Sequence, residues 1–242
     1  MTEPEIVIET TIAAEPERVW RALRDPALIR RWHGWEYEGP GGLDDEIREI
    51  YIDGADADAE ALTLTFQGGD RFALRPAVEG TVVRITRPAK GSHPEWDDWY
   101  EDVTEGWTTF LQQLKFGLER HDLAERHTLY LDGPTSGATA MELLGVAGIT
   151  GPPGSAYTAL VATGDALSGT VWFRSPKQLG LTVDALGPGL LILAIQPQNE
   201  QRPGGGAQII LSGYGRGAEE FESLADRWTH WWDTRESPGT CC

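Results

Sequence analysis

Cysteine is almost missing from this chain of 242 residues: there are two, Cys241 and Cys242, side by side at the end. Adjacent thiols in a tail cannot cross-link a core, so the fold is expected to need no disulfide, and a cytoplasmic setting follows. Basic residues are scarce too. Twenty Lys and Arg stand against 38 Asp and Glu, a formal net charge of −18. That charge repels phosphate backbones and anionic lipid surfaces, which argues against nucleic acid or a membrane as a partner. Long apolar runs are absent. The longest, Leu190–Ile195, is far too short to span a bilayer. The opening MTEPEIVIE has neither a basic stretch nor an apolar one, so no signal peptide is expected.

Signatures of chemistry are equally thin. His33, His93, His121, His127 and His230 show no ligand spacing with Cys, Asp or one another, so no zinc site can be read. No G-x-S-x-G occurs, and no nucleophile is evident. SGYGRGA (Ser212–Ala218) fits a dinucleotide-type glycine pattern, but it opens the last helix. No later strand could carry the acid that binds a ribose, so a loop is the reading. WDDWYED (Trp96–Asp102) holds D-D-x-x-E, with its carboxylates falling between the apolar positions of a helix, as on a solvated first turn. Arg71, Arg75 and Arg84 lie on predicted strands and are expected to point outward. His230 is expected at the edge of a buried helix face. Catalytic residues, metal and cofactor are therefore all assigned as none.

What is present is a core-forming composition, 40% hydrophobic, arranged in an order that occurs twice. EGWTTFLQQL (Glu105–Leu114) and DRWTHWWDTR (Asp226–Arg235) share a pattern in which Trp107 matches Trp228, Phe110 matches Trp231 and Leu111 matches Trp232. In the first half, Ile6, Ile8, Thr10 and Ile12 alternate as in a half-buried strand. Pro16 opens a helix, and DPALIRRW adds a second short one ending near Gly34. Strands are predicted around Glu46–Ile52, Ala61–Phe66, Asp70–Arg75 and Thr81–Arg87, then a long helix from about Glu95 to Glu119. The second half gives a strand over His127–Leu131 and a helix over Ser136–Val146. Strands follow over Tyr157–Thr163, Gly169–Phe173, Gly180–Asp184, Leu190–Gln196 and Ala207–Ser212, and a last helix over Ala218–Thr234. The fold class is α+β, an antiparallel sheet wrapped on a long helix, used twice.

PERVWRALRDPALIRRW (Pro16–Trp32) resembles the opening of the SRPBCC superfamily, the START and polyketide-cyclase group with a helix-grip fold. Within it the stretch is most similar to the bacterial branch related to activators of the heat-shock chaperone ATPase. EGWTTFLQQLKFGLE is similar to that branch's closing helix. The resemblance implies two tandem helix-grip domains, residues 1–121 and a degenerate 122–236, followed by a flexible tail, 237–242. It further implies a cavity between sheet and long helix that takes a small apolar or amphipathic molecule. The lining would include Trp107, Phe110, Leu111, Leu114, Trp228 and Trp231, with Trp228 and Trp231 facing inward and Trp232 extending sideways. Core filler is the competing reading for each of these residues. The alternative functions are a polyketide cyclase- or hydrolase-like enzyme and a chaperone-activator-like protein-interaction module, and a homodimer or chaperone-type partner is the alternative kind of partner.

Overall fold

The computed structural model describes residues 5–37, 41–92, 94–135, 139–200 and 202–235, with the side chains of residues 94–96 left aside. His93, Cys241 and Cys242 lie outside the described residues. The chain divides into two compact units, Met1–Ala124 and Glu125–Cys242.

The first unit begins with strand β1 (Ile6–Ile12) and helices α1 (Pro16–Arg24), α2 (Pro26–Ile29) and α3 (Gly42–Ile47). A π-helical stretch, Arg48–Asp53, follows directly. Strands β2 (Ala55–Asp58), β3 (Thr63–Phe66), β4 (Arg71–Ala77) and β5 (Gly80–Arg87) come next. A 3-10 turn, Pro94–Trp99, then leads into helix α4 (Tyr100–His121). The sheet is antiparallel in the order β1-β5-β4-β3-β2. The first and last strands therefore pair and the rest form a meander. Pro16 at the first helical position presets φ for α1, whose Val19, Ala22 and Leu23 are buried. Helix α4 lays Trp107, Leu111, Leu114 and Leu118 on the sheet, among Ile12, Leu64, Phe72, Val83 and Ile85. Spacings of four, three and four keep those four side chains on one stripe.

One expectation is overturned here. Glu46–Ile52 is not a strand: it completes α3 and forms the π-helical stretch. The apolar residues Leu43, Ile47 and Tyr51 recur every fourth position and all are buried, at 4%, 1% and 0% exposure. Helical spacing buries all three on one side, whereas strand alternation would place them together only by exposing Ile50 and Ile52 as a set. Both of those pack against the core from partly buried positions.

The second unit comprises β6 (Arg126–Pro134), α5 (Ala140–Leu144), β7 (Ala156–Leu160), β8 (Ala166–Arg174), β9 (Gln178–Val183), β10 (Gly189–Gln196), β11 (Gly206–Tyr214) and α6 (Ala218–Thr234). Its antiparallel order is β6-β11-β10-β9-β8-β7, the same plan with one more strand. A capping box sets the start of α5. Glu142 N–H donates to the Thr139 hydroxyl, and Thr139 N–H donates to the Glu142 carboxylate. Helix α6 packs Phe221, Leu224, Trp228 and Trp232 onto Leu129, Leu181, Leu191, Leu193 and Ile209. Gly213 permits this approach, since a Cβ there would stand 2.7 Å from the Phe221 ring. Each unit is thus a helix-grip domain, an antiparallel sheet curved around a long C-terminal helix, and the whole is α+β. Among the described residues no helix is long and apolar enough to cross a membrane.

Candidate functional site

A cavity of about 300 Å³ opens in the first unit. Glu49, Ile50 and Gly54, in and just after the π-helical stretch, form one wall. Phe66, Gln67, Gly68 and Asp70, around the β3–β4 hairpin, form a second. Arg87, Pro88 and Ala89 leave the end of β5, and Asp97, Tyr100, Val103 and Trp107 come from the 3-10 turn and α4. The lining is mainly apolar with a few placed polar groups, the usual make-up of a small-molecule site.

Its base is a buried polar triad. The Asp70 carboxylate accepts from Arg87 Nε at 3.0 and 3.1 Å and from Trp107 Nε1 at 2.6 Å. Side-chain exposure is only 7% for Arg87 and 10% for Asp70. Arg87 Nη1 donates to the Tyr100 carbonyl at 2.6 Å and to the Thr104 hydroxyl. The guanidinium also lies over the Tyr100 ring, 4.4 Å from its centroid. Tyr100 is held in turn by its hydroxyl, which donates to the Pro88 carbonyl at 2.6 Å. Arg87 Nη2 has no hydrogen-bond partner among the described residues. Both of its N–H donors are left for a guest or water.

The aromatic floor is propped from behind. Phe66 and Trp107 have ring centroids 5.2 Å apart. Tyr51 meets them edge-on, at 5.3 Å from Phe66 and 6.4 Å from Trp107. The Tyr51 hydroxyl lies 2.9 Å from His33 Nδ1, and His33 Nε2 lies 3.2 Å from Glu46 Oε1. Burial, and then the charge of Glu46, raise the Tyr51 pKa well above the ordinary tyrosine value. The hydroxyl therefore keeps its proton, and the two contacts link Tyr51 through the His33 ring to Glu46, with the His33 tautomer setting which partner donates. This chain pins the π-helical stretch, so that Glu49 and Ile50 stand on the cavity wall. Such π-helical turns recur at functional sites.

The six residues expected to line a cavity divide. Trp107 lines it. Leu111 and Leu114 are buried in the sheet–helix core, and Phe110 packs at its edge, 4.3 Å from the His33 ring. In the second unit Trp228 is fully buried, and its Nε1 donates to Asp165 Oδ2 at 2.8 Å. Trp231 is partly buried at the core's edge, while Trp232, at 5% exposure, is the inward ring. The inward pair is therefore Trp228 and Trp232 rather than Trp228 and Trp231. Four-residue spacing keeps to the stripe set by Phe221 and Leu224, whereas Trp231 falls to its side.

Asp165 also accepts from Arg227 Nη2 at 2.8 Å and Thr163 Oγ1 at 2.7 Å. Each unit thus ties the leading tryptophan of its long helix to an aspartate beside a strand hairpin. Burial works to raise the Asp165 pKa. The hydrogen bonds from Thr163, Trp228 and Arg227 outweigh it and hold the carboxyl below the ordinary aspartate value.

Asp70 and Arg87 were missed by sequence reasoning. One signal was available for Arg87, because Thr81, Val83, Ile85 and Arg87 alternate onto the buried face of β5. Arg71, Arg75 and Arg84 lie exposed, as expected, and the last two pair with Glu9 at 3.4 and 3.6 Å. His230 is exposed, and Asp97, read as part of a solvated turn, is half-buried on the cavity wall. Among the described residues no group of three or more His, Cys, Asp and Glu comes together to hold a metal ion.

No protein-family model and no curated protein sequence matches the chain. Several solved structures are similar to it. The di-domain ARO/CYC BexL from the BE-7585A biosynthetic pathway is 13% identical, covering 94% of each chain with a TM-score of 0.37. The di-domain ARO/CYC StfQ from the steffimycin biosynthetic pathway is 12% identical over 93% of each chain, TM-score 0.36. Protein MLL2253 from Mesorhizobium loti is 23% identical over 49% of this chain and 99% of its own, TM-score 0.32. At these TM-scores the likenesses carry nothing about activity to this chain.

Proposed function

We propose that this chain is a cytoplasmic, non-catalytic binding protein for a small hydrophobic or amphipathic molecule, held in the cavity of its first domain. The observation that carries the reading is the pairing of an aromatic floor, Phe66 and Trp107, with one arginine whose Nη2 has no hydrogen-bond partner among the described residues. A flat apolar body would lie on the rings, and an acceptor oxygen at its edge would take the N–H donors of Arg87.

A cyclase- or hydrolase-like enzyme would need a group free to move a proton. The buried carboxylate, Asp70, already accepts from Arg87 and Trp107. Glu49 is exposed on the wall, and Asp97 accepts from Gly91 N–H at 2.8 Å. This arrangement favours holding a molecule over transforming it.

The test combines native mass spectrometry of gently purified protein with thermal shifts across a panel of apolar and amphipathic molecules. A parallel variant, Val103→Trp, fills the cavity. A bound molecule or a ligand-dependent rise in Tm is expected in the parent and lost in the variant. A panel that moves neither protein, or moves both alike, would sink the reading.

A further inference from the structure

We propose that the cavity selects uncharged ligands bearing an acceptor oxygen and turns away the corresponding carboxylates. The proposal rests on the reading above, that the cavity is a ligand site.

A lone arginine in an apolar pocket would ordinarily point to an anionic guest, because guanidinium and carboxylate pair through two parallel hydrogen bonds. Here an ion pair is already made within the protein, with the single Nε–H of Arg87 shared between both oxygens of Asp70. Asp70 stands 3.0 Å from Arg87 Nε, with both side chains nearly buried, so the charge of Arg87 is answered before any ligand arrives. Glu49 and Asp97 add two more carboxylates to the wall, and among the described residues no other Lys or Arg lines the cavity. A ligand carboxylate would enter a site with three acidic groups and one basic group. Like charges at such range repel appreciably in a partly enclosed site, where the effective dielectric falls below that of water.

What Arg87 keeps is direction rather than net charge. The Nη2 donors remain, held in place by the bonds that Nε and Nη1 make to Asp70, Tyr100 and Thr104. A ketone, amide or hydroxyl oxygen can accept from them without adding a charge. A carboxylate gains the same hydrogen bonds but pays the repulsion of Glu49 and Asp97 as well.

Three probes of one shape separate the possibilities: 2-acetonaphthone, 2-naphthoate and naphthalene, each titrated into the full chain at neutral pH by calorimetry. 2-Acetonaphthone is expected to bind at least about tenfold more tightly than 2-naphthoate. Glu49→Gln combined with Asp97→Asn should tighten 2-naphthoate several-fold more than it changes 2-acetonaphthone, so that the ratio of the two affinities narrows. Both substitutions remove a charge and keep the side-chain shape. If 2-naphthoate binds the parent as tightly as the ketone, the selectivity is overturned while the cavity reading stands. If none of the three binds, both fall together.

Discussion

Replacing Asp70 with alanine puts the buried triad under the most direct strain. The substitution removes the acceptor of three donor contacts, two from Arg87 Nε at 3.0 and 3.1 Å and one from Trp107 Nε1 at 2.6 Å. Removing one member of a buried ion pair costs about 3–5 kcal/mol, because the remaining charge is left uncompensated. The orphaned indole N–H would add about 1–3 kcal/mol if it stayed dry. Neither figure applies in full. Arg87 keeps the Tyr100 carbonyl and the Thr104 hydroxyl, and the adjoining cavity can admit water to the vacated place. A loss of about 3 kcal/mol is therefore expected. The double variant Asp70→Leu with Arg87→Met removes both charges at once and should lose much less, so the pair should couple strongly in a double-mutant cycle. Urea unfolding followed by amide exchange is the assay, read on peptides from β3 to β5 and from α4 so that the first domain is scored apart from the second. A loss below about 1 kcal/mol for Asp70→Ala, or a double variant as unstable as the single, would refute the reasoning.

Two further expectations concern each domain in turn. In the second domain the folded-state pKa of Asp165 is depressed, so its contribution is whole above the ordinary aspartate range and is lost as pH falls through and below it. Amide protection in the β7–β8 hairpin and α6 should therefore drop in that acid window. Asp165→Asn should remove this part of the pH dependence, and an unchanged acid profile in the variant would contradict the assignment. In the first domain Gly80 opens β5 after the β4–β5 turn at φ +126°, and a Cβ there would stand 2.1 Å from the Ile12 carbonyl oxygen. Gly80→Ala should cost about 2 kcal/mol and lower the first domain's thermal transition, while an unshifted transition would show that the hairpin relaxes freely.

The legibility of the fold tracks how local each signal is. Alternation in IVIETTI marked a strand, and the structure has one over Ile6–Ile12. The three-and-four spacing before Thr234 marked the last helix, and α6 runs Ala218–Thr234. In Glu46–Ile52 two periods overlap, since Ile47, Ile50 and Tyr51 suit a helix as well as the β-rich Ile and Tyr suit a strand. Packing of Ile47 and Tyr51 into the core chose the helix. The rings of α6 were misjudged for a related reason. Matching Trp231 to Phe110 was sound as an alignment, but both positions lie at the edge of their stripes, and Trp232, like Leu111, is the one that turns inward.

The candidate site depended on a different kind of information. Trp107 could be named from its helix alone, because an apolar stripe is a property of successive residues. That it meets Asp70, 37 positions away, and that Asp70 meets Arg87, 17 positions away, depends on where the β3–β4 hairpin delivers its carboxylate. By itself the sequence determined the repeated α+β plan and the place of most strands and helices outside residues 46–58, since each is written in the spacing of neighbours along the chain. Only the tertiary structure decided that a buried arginine would have its charge answered and one nitrogen left open. Hydrogen bonds and charge pairing are made between residues that strand register brings together, and no local period carries that register.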